Sequence, residues 1–520
     1  MNPLFNYGLD RLSLGLAKEI VDGKRKGVLN EKSISKIDRC SEEVRKIVDH
    51  KSAVYGVNTG LGQLCDVSIP EDDILTLQSN ILQSHACGIG KPIPTEIAKL
   101  MLITKVHSLA MGYSGVTLTT LKRIIWHIDS DIIPLVPEKG SVGASGDLAP
   151  LAHLFLPLIG LGKVQKGSQV LDASVVLREE GLPPIVLRAK EALALINGTQ
   201  FILSYASLGL IRFHKALEWA DLAGAMSLEG LMGSIRPFDP RLHALRPFKG
   251  TEWVAKKLNF LLKDSSIVQD HQNCDRVQDP YSIRCIPQVH GASRNAWLHL
   301  KELTEIELNS ITDNPIIFEA TDSISGGNFH GQTLAMALDY GALAAAELGN
   351  ISDRRSYLLT EGRYGLPKLL VKNPGLNSGL MIPQYTSAAL VSENKSLCFP
   401  ASADSIPTSL GQEDHVSMGS ISGRKLHSIL DNLEYILAIE FLYASQAIHF
   451  RRPLKSTPIL EACHDLILEK IPFIENDRIF SEDIEKIHEI LIQDQLLNRV
   501  QEIIVQENLA YPHHEEFRIY

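Results

Sequence analysis

The sequence predicts a mainly α protein built on a long helical bundle. Apolar residues recur at helical spacing in three long segments of the second half, strand-like alternation is scarce, and no repeat or low-complexity segment interrupts the chain. Its 520 residues carry 44% apolar and 22% charged side chains, the balance of a globular chain with a large core. The expected organisation is an N-terminal region over residues 1–200, with two glycine-rich loops, and a central and C-terminal helical bundle over 201–520.

In chain order, the first 60 residues read as polar-faced helices. They lead into the loop Tyr55-Gly56-Val57-Asn58-Thr59-Gly60-Leu61-Gly62, where three glycines in seven residues permit unusual backbone angles. A helical pattern then runs from about 75 to 135, with breaks near Gly88 to Pro94. Ala296, Leu300, Leu303 and Ile306 define one helix face, which Asp313-Asn314-Pro315 is expected to stop, because proline disfavours helix in its predecessor. Leu334 to Leu348 is rich in alanine and leucine around nearly its whole circumference and is expected to be buried among other helices. Leu426, Leu430, Leu433, Leu437 and Ala444 mark a further long helix, closed before Pro453. All three segments read as core.

Composition excludes several function classes. A net charge of −10 argues against a nucleic-acid partner, which needs clustered Lys and Arg. The longest apolar runs fall short of the roughly 20 residues that span a bilayer, so no membrane is expected. Seven scattered cysteines without a CxxC pair, and a start lacking the order of a signal peptide, point to a cytoplasmic protein. HExxH, Walker and GxGxxG motifs are absent, so no metal hydrolysis or nucleotide binding is expected. His513-His514-Glu515-Glu516 reads as a mobile polar tail and not as a metal site.

The most informative segment is Gly140-Ser141-Val142-Gly143-Ala144-Ser145-Gly146-Asp147-Leu148-Ala149-Pro150. Locally it is a loop feeding a helix, with Asp147 as N-cap and Pro150 in the first turn. It is not a nucleophile elbow, which needs glycine two residues after the serine, where Asp147 stands. A third reading uses every residue. If the loop is bent, the Gly146 nitrogen attacks the Ala144 carbonyl carbon and closes a five-membered ring. Loss of water, the Ser145 hydroxyl included, leaves an exocyclic methylidene, an electrophile that no ordinary side chain supplies. Small residues at Ala144 and Gly146 permit that approach.

This segment resembles that of the histidine/phenylalanine ammonia-lyases, whose cofactor, 4-methylidene-imidazol-5-one (MIO), forms autocatalytically from Ala-Ser-Gly. Five motifs in the family's order, from residue 55 to residue 419, extend the resemblance over nearly the whole chain. It implies an amino acid substrate whose amine adds to the methylidene, becoming a leaving group, while a base removes a β-proton. Tyr55 matches the catalytic tyrosine and would be that base, although a phenol normally titrates near 10. Asn197, in Leu195-Ile196-Asn197-Gly198-Thr199, matches the asparagine that hydrogen-bonds the ring. Gln278 and Tyr281 match residues lining the same pocket. Arg284 matches the arginine that binds the substrate carboxylate, work suited to a planar guanidinium. Phe329, in Ser325-Gly326-Gly327-Asn328-Phe329-His330-Gly331, resembles the aromatic packed beside the electrophile. A homotetramer whose active sites combine residues from three subunits is also implied.

Two residues bear on the substrate. Ser84-His85 resembles the selector of the family's histidine and tyrosine lyases, and a polar imidazole suits a hydrogen-bonding ring. Glu413, in Gln412-Glu413-Asp414-His415, resembles the histidine-specific version, where tyrosine and phenylalanine lyases commonly have glutamine. A carboxylate accepts from an imidazole N–H, whereas beside a phenyl ring it is buried without a partner. The expected reaction is L-histidine to trans-urocanate and ammonia. Two alternatives stand beside it: a lyase or aminomutase of tyrosine or another aromatic amino acid with the same electrophile, and an inactive helical scaffold whose loop never cyclises. Leu61, Gln332-Thr333 and Pro383 depart from the family's commoner residues and bear on loop packing and pocket shape.

Overall fold

Five helices form the bundle, three of them at the segments that the periodicity predicts. They span Gln200–Gly230, Lys249–Leu262, Ile286–Glu307, Gln332–Thr360 and Gly419–His449; Ile286–Glu307, Gln332–Thr360 and Gly419–His449 all pack on Gln200–Gly230, and Gln332–Thr360 also packs on the other two. The structure, a computed structural model, describes residues 3–50, 54–60, 62, 67, 69–271 and 276–519. One continuous apolar core joins residues from Phe5 to Ile519. No helix among the described residues is long and apolar enough to cross a membrane.

The N-terminal region is helical as well, with Glu31–Asp49, Ile74–His85, Thr95–Leu109 and Leu118–Ser130 as its main helices. Helix Thr95–Leu109 is buried from Leu100 to Leu109 with no polar face, which follows from its apolar run Leu100-Met101-Leu102-Ile103. Short strands are confined to small sheets. One of these positions the loop that follows it: Ile89–Pro92 pairs antiparallel with Pro137–Lys139. That pairing brings the end of the Ile74–His85 helix next to the segment that opens the Gly140–Ser145 loop. A hydrogen bond from Gly88 N–H to His153 Nε2 (3.0 Å) adds a second tie, because His153 lies on helix Leu148–Phe155 just beyond the loop.

Three expectations need correction. The Ile286–Glu307 helix ends well before Asp313-Asn314-Pro315, with its C-cap at Leu308, so the proline governs a later loop and not the helix end. Helix Gln332–Thr360 is not covered all round: Met336, Tyr340 and Leu343, spaced four and three apart, expose about half of their surface. Composition could not tell a helix buried in its own chain from one with an apolar stripe turned outward. The tail is not loose. Phe517 is buried, its carbonyl accepts from His214 Nε2 at 2.8 Å, and Lys249 pairs with Glu516 at 2.8 Å. An aromatic side chain inside a polar run was enough to anchor it.

Candidate active site

The Ala144-Ser145-Gly146 turn is bent by its backbone angles. Gly143, Ser145 and Gly146 all adopt left-handed φ (80°, 51° and 81°), an arrangement rare for serine. The turn lies against Asn197-Gly198. Gly198 N–H donates to the Ser145 carbonyl (3.2 Å), and Asp147 N–H donates to the Gly198 carbonyl (2.8 Å). A Cβ on Gly146 would stand 2.1 Å from the Gly198 oxygen, so only glycine fits there.

Asp147 does more than the sequence suggested. It makes no side-chain cap on its own helix, Leu148–Phe155. Its Oδ2 instead accepts from the N–H groups of Phe201 and Ile202 (3.0 Å each), in the first turn of the Gln200–Gly230 helix, and Ser141 Oγ donates to its Oδ1 at 3.3 Å. One buried carboxylate therefore caps the longest helix of the N-terminal half from 54 residues away and ties the turn to it. Burial pushes that carboxyl up to about 7, against the lowering effect of the three donors.

A cavity of about 550 Å³ opens in front of the turn. Among its lining residues are Tyr55, His85, Ser145, Asn197 and Glu413, with Leu77, Ile81 and Leu193 supplying apolar wall. An adjoining cavity of about 380 Å³ touches the turn at Ala144 and Gly146 and shares His85 and Glu413 with the first. Glu413 Oε1 accepts from Ser145 Oγ at 3.1 Å, and Thr408 Oγ1 holds Oε2 at 3.0 Å. His85 Nδ1 lies 2.8 Å from the Ile81 carbonyl, which only accepts, so Nδ1 carries a hydrogen there. The Tyr55 hydroxyl oxygen accepts from Gly62 N–H at 3.3 Å. Asn197 donates from Nδ2 to the Asn314 carbonyl (2.9 Å), while its buried Oδ1 has no partner among the described residues.

Three other expected residues stand together, but elsewhere. Gln278 and Arg284 line a separate cavity of about 700 Å³. Arg284 Nη2 donates to Gln278 Oε1 (3.0 Å), and the guanidinium carbon lies 4.5 Å from the centroid of the Tyr281 ring, a cation–π contact. Tyr281 is 71% exposed. Phe329 is half-buried in the loop before helix Gln332–Thr360 and is not among the described residues lining the Ser145 cavity. Within one chain, then, the seven residues around the turn converge, and Gln278, Tyr281, Arg284 and Phe329 do not join them.

The sequence pattern of the aromatic amino acid lyases matches residues 12–469. The chain belongs to the aromatic amino acid lyase family. It is 46% identical over 462 residues to the histidine ammonia-lyase of Myxococcus xanthus, covering 88% of this chain and 91% of that one. Among solved structures it is similar to histidine ammonia-lyase from Trypanosoma cruzi (39% identity, TM-score 0.89, covering 99% of this chain and 97% of that one) and to tyrosine aminomutase from Streptomyces globisporus (32%, 0.91, 98% and 100%). The family is the MIO-dependent type of lyase, and the residues present in this aromatic amino acid lyase fit that group. The turn is already bent, Gly146 has no room for a side chain, and Asn197 lies beside Ser145 with a buried amide oxygen unspent.

Of the departures from the family's commoner residues, Pro383 sits in the first turn of helix Met381–Leu397, where no intrahelical donor is lost. Gln332 donates to the Ser402 carbonyl (3.0 Å), so it binds a loop near the bundle and not the cavity. Leu61 lies outside the described residues. Thr408, the Asp147 cap and the buried Lys105 escaped sequence reasoning. For Lys105 a signal existed: a lone lysine within Leu100-Met101-Leu102-Ile103-Thr104-Lys105-Val106, where a helix has no polar face to receive it.

Proposed function

We propose that this protein deaminates L-histidine to trans-urocanate and ammonia, using MIO formed from Ala144, Ser145 and Gly146. The observation that carries the reading is the convergence of Tyr55, His85, Asn197 and Glu413 on the cavity before Ser145. The names of the relatives support it, since the chain is 44–46% identical to several bacterial histidine ammonia-lyases over most of its length. When formed, the ring supplies an electrophilic carbon for the substrate amine.

The chain's own residues supply the rest. Glu413 and His85 recognise the imidazole: the carboxylate accepts from a ring N–H, and His85, when neutral, offers its Nε2 lone pair as a second acceptor. Glu413 Oε1 is occupied by the very hydroxyl that ring formation expels, so maturation frees it to receive the substrate. Tyr55 takes the β-proton, held by the Gly62 N–H at its oxygen. Arg284, braced by Gln278 and stacked on Tyr281, binds the carboxylate. Its separate position in the single chain supports a homotetramer in which the sites combine subunits, with Phe329 delivered in the same way. The outward stripe Met336, Tyr340 and Leu343 and the 95% exposed Val277 are apolar surface that such an assembly covers. We further propose that the chain divides by role near residue 200, and that it works in the cytoplasm.

A near-ultraviolet assay against histidine, tyrosine and phenylalanine tests the reading, because each product gains a conjugated double bond. Activity greatest on histidine, lost in Ser145→Ala, is expected. Preference for tyrosine supports the aminomutase-like alternative, and an intact mass lacking no water supports an inert loop.

A further inference from the structure

Lys105 is fully buried in the middle of helix Thr95–Leu109, and its ammonium has no carboxylate within 4 Å among the described residues. The other two buried lysines are paired: Lys190 with Asp313 at 2.5 Å, and Lys257 with Glu218 and Asp221 at 2.6 and 3.1 Å. Lys105 Nζ donates instead to the Asn197 carbonyl, with Gln200 Oε1 at 3.5 Å. An ammonium satisfied only by neutral acceptors in a dry interior is costly, and burial pulls its proton affinity down to about 7. Packing alone is better served by leucine or methionine there.

What the ammonium touches explains the expense. The Asn197 carbonyl and the Gly198 N–H belong to one planar peptide unit. Its oxygen end receives Lys105, and its N–H end donates to the Ser145 carbonyl at 3.2 Å. A cation at one end of a peptide polarises the other and strengthens the hydrogen bond it gives. We propose that Lys105 is a positioning residue for maturation of the turn, acting through the Asn197–Gly198 peptide to favour dehydration of Ser145. The inference rests on the self-formed ring proposed above.

The chemistry balances. Closure joins Gly146 N to the Ala144 carbonyl carbon, and the Ala144 oxygen leaves as water with the hydrogens of Gly146 N and Ser145 N. The second water takes the Ser145 Oγ with its hydrogen and the Ser145 Cα hydrogen, leaving the Cα=Cβ double bond. Loss of the Cα hydrogen as a proton throws the electron pair onto the Ser145 carbonyl oxygen until the hydroxyl departs. That oxygen is the one the Gly198 N–H holds, so a cation behind the peptide lowers the barrier of this step.

Intact-mass spectrometry of the full chain, sampled over time after cell-free synthesis, reads each water separately. Native protein is expected to lose two. Lys105→Met is expected to fold with unchanged or higher thermal stability, because an apolar chain replaces an unpaired ammonium, yet to retain one or both waters, or to lose them roughly 10- to 100-fold more slowly. Lys105→Arg, which restores the cation, is expected to mature faster than Lys105→Met. Should Lys105→Met not fold, Lys105→Gln, which keeps a donor without the charge, carries the same expectation. A folded Met or Gln variant that loses both waters at the native rate overturns the role of Lys105. A native chain that never loses water overturns the self-formed ring instead.

Discussion

Replacing Asp147 with asparagine is expected to stabilise the protein at neutral pH, by an amount that grows with pH. The carboxyl is fully buried, and burial raises its folded value from 3.8 to about 7. A group whose folded value is raised contributes stability at low pH and loses it as pH climbs through the window from about 4 to about 7. Over that window, about three units at 1.36 kcal/mol each come to about 4 kcal/mol. Asparagine never ionises, so it avoids this cost. Its Oδ1 can still accept from Phe201 and Ile202 N–H, and its amide can donate to Ser141 Oγ, so the cap on helix Gln200–Gly230 survives. Denaturation midpoints of native protein and Asp147→Asn at pH 5, 6, 7 and 8 measure the difference, and other titrating groups cancel in the comparison. The Asn variant should gain about 1–2 kcal/mol at pH 5, where the unfolded carboxyl is already ionised, and about 4 kcal/mol at pH 7 and above. A difference that does not change with pH, or an Asn variant weaker than native at pH 7, refutes the reasoning.

Glu413→Gln should lose roughly 10- to 100-fold in kcat/KM for histidine, as expected for a charge-assisted bond of about 1.5–3 kcal/mol, while handling tyrosine or phenylalanine at least as well; unchanged histidine turnover would remove Glu413 from ring recognition. Arg284→Lys keeps the charge but loses both the fork held by Gln278 and the stack on Tyr281, so a similar 10- to 100-fold loss is expected in kcat/KM, and native efficiency would assign the carboxylate elsewhere. Burial holds His107, His127, His427 and His464 near 4, below their ordinary 6.5. A lowered folded value gives stability that is present above 6.5 and lost as pH falls to about 4, by about 3 kcal/mol at each site. Thermal midpoints should therefore drop steeply from pH 6.5 to 4.5, and a flat profile would contradict neutral burial.

Much of this protein is legible along the chain. The helices at Ile286–Glu307, Gln332–Thr360 and Gly419–His449 follow from apolar spacing alone, since a helix face is specified by residues three and four apart. The Ala144-Ser145-Gly146 turn is equally local: small residues flank a serine, and the backbone bends there with left-handed φ at Ser145 and Gly146. Tyr55, His85, Asn197 and Glu413 could be named from their motifs, and they meet in one cavity. What the tertiary structure alone decided is which distant groups satisfy one another. Asp147 caps a helix 54 residues ahead instead of its own, Glu413 meets a serine 268 residues behind it, and Lys105 reaches a carbonyl 92 residues away. The outward stripe on Gln332–Thr360 and the separation of Arg284 from Ser145 are of the same kind. Periodicity and turn preference are set within about ten neighbouring residues, whereas a buried polar atom takes whichever partner packing delivers, because leaving it unpaired costs more than any local preference is worth.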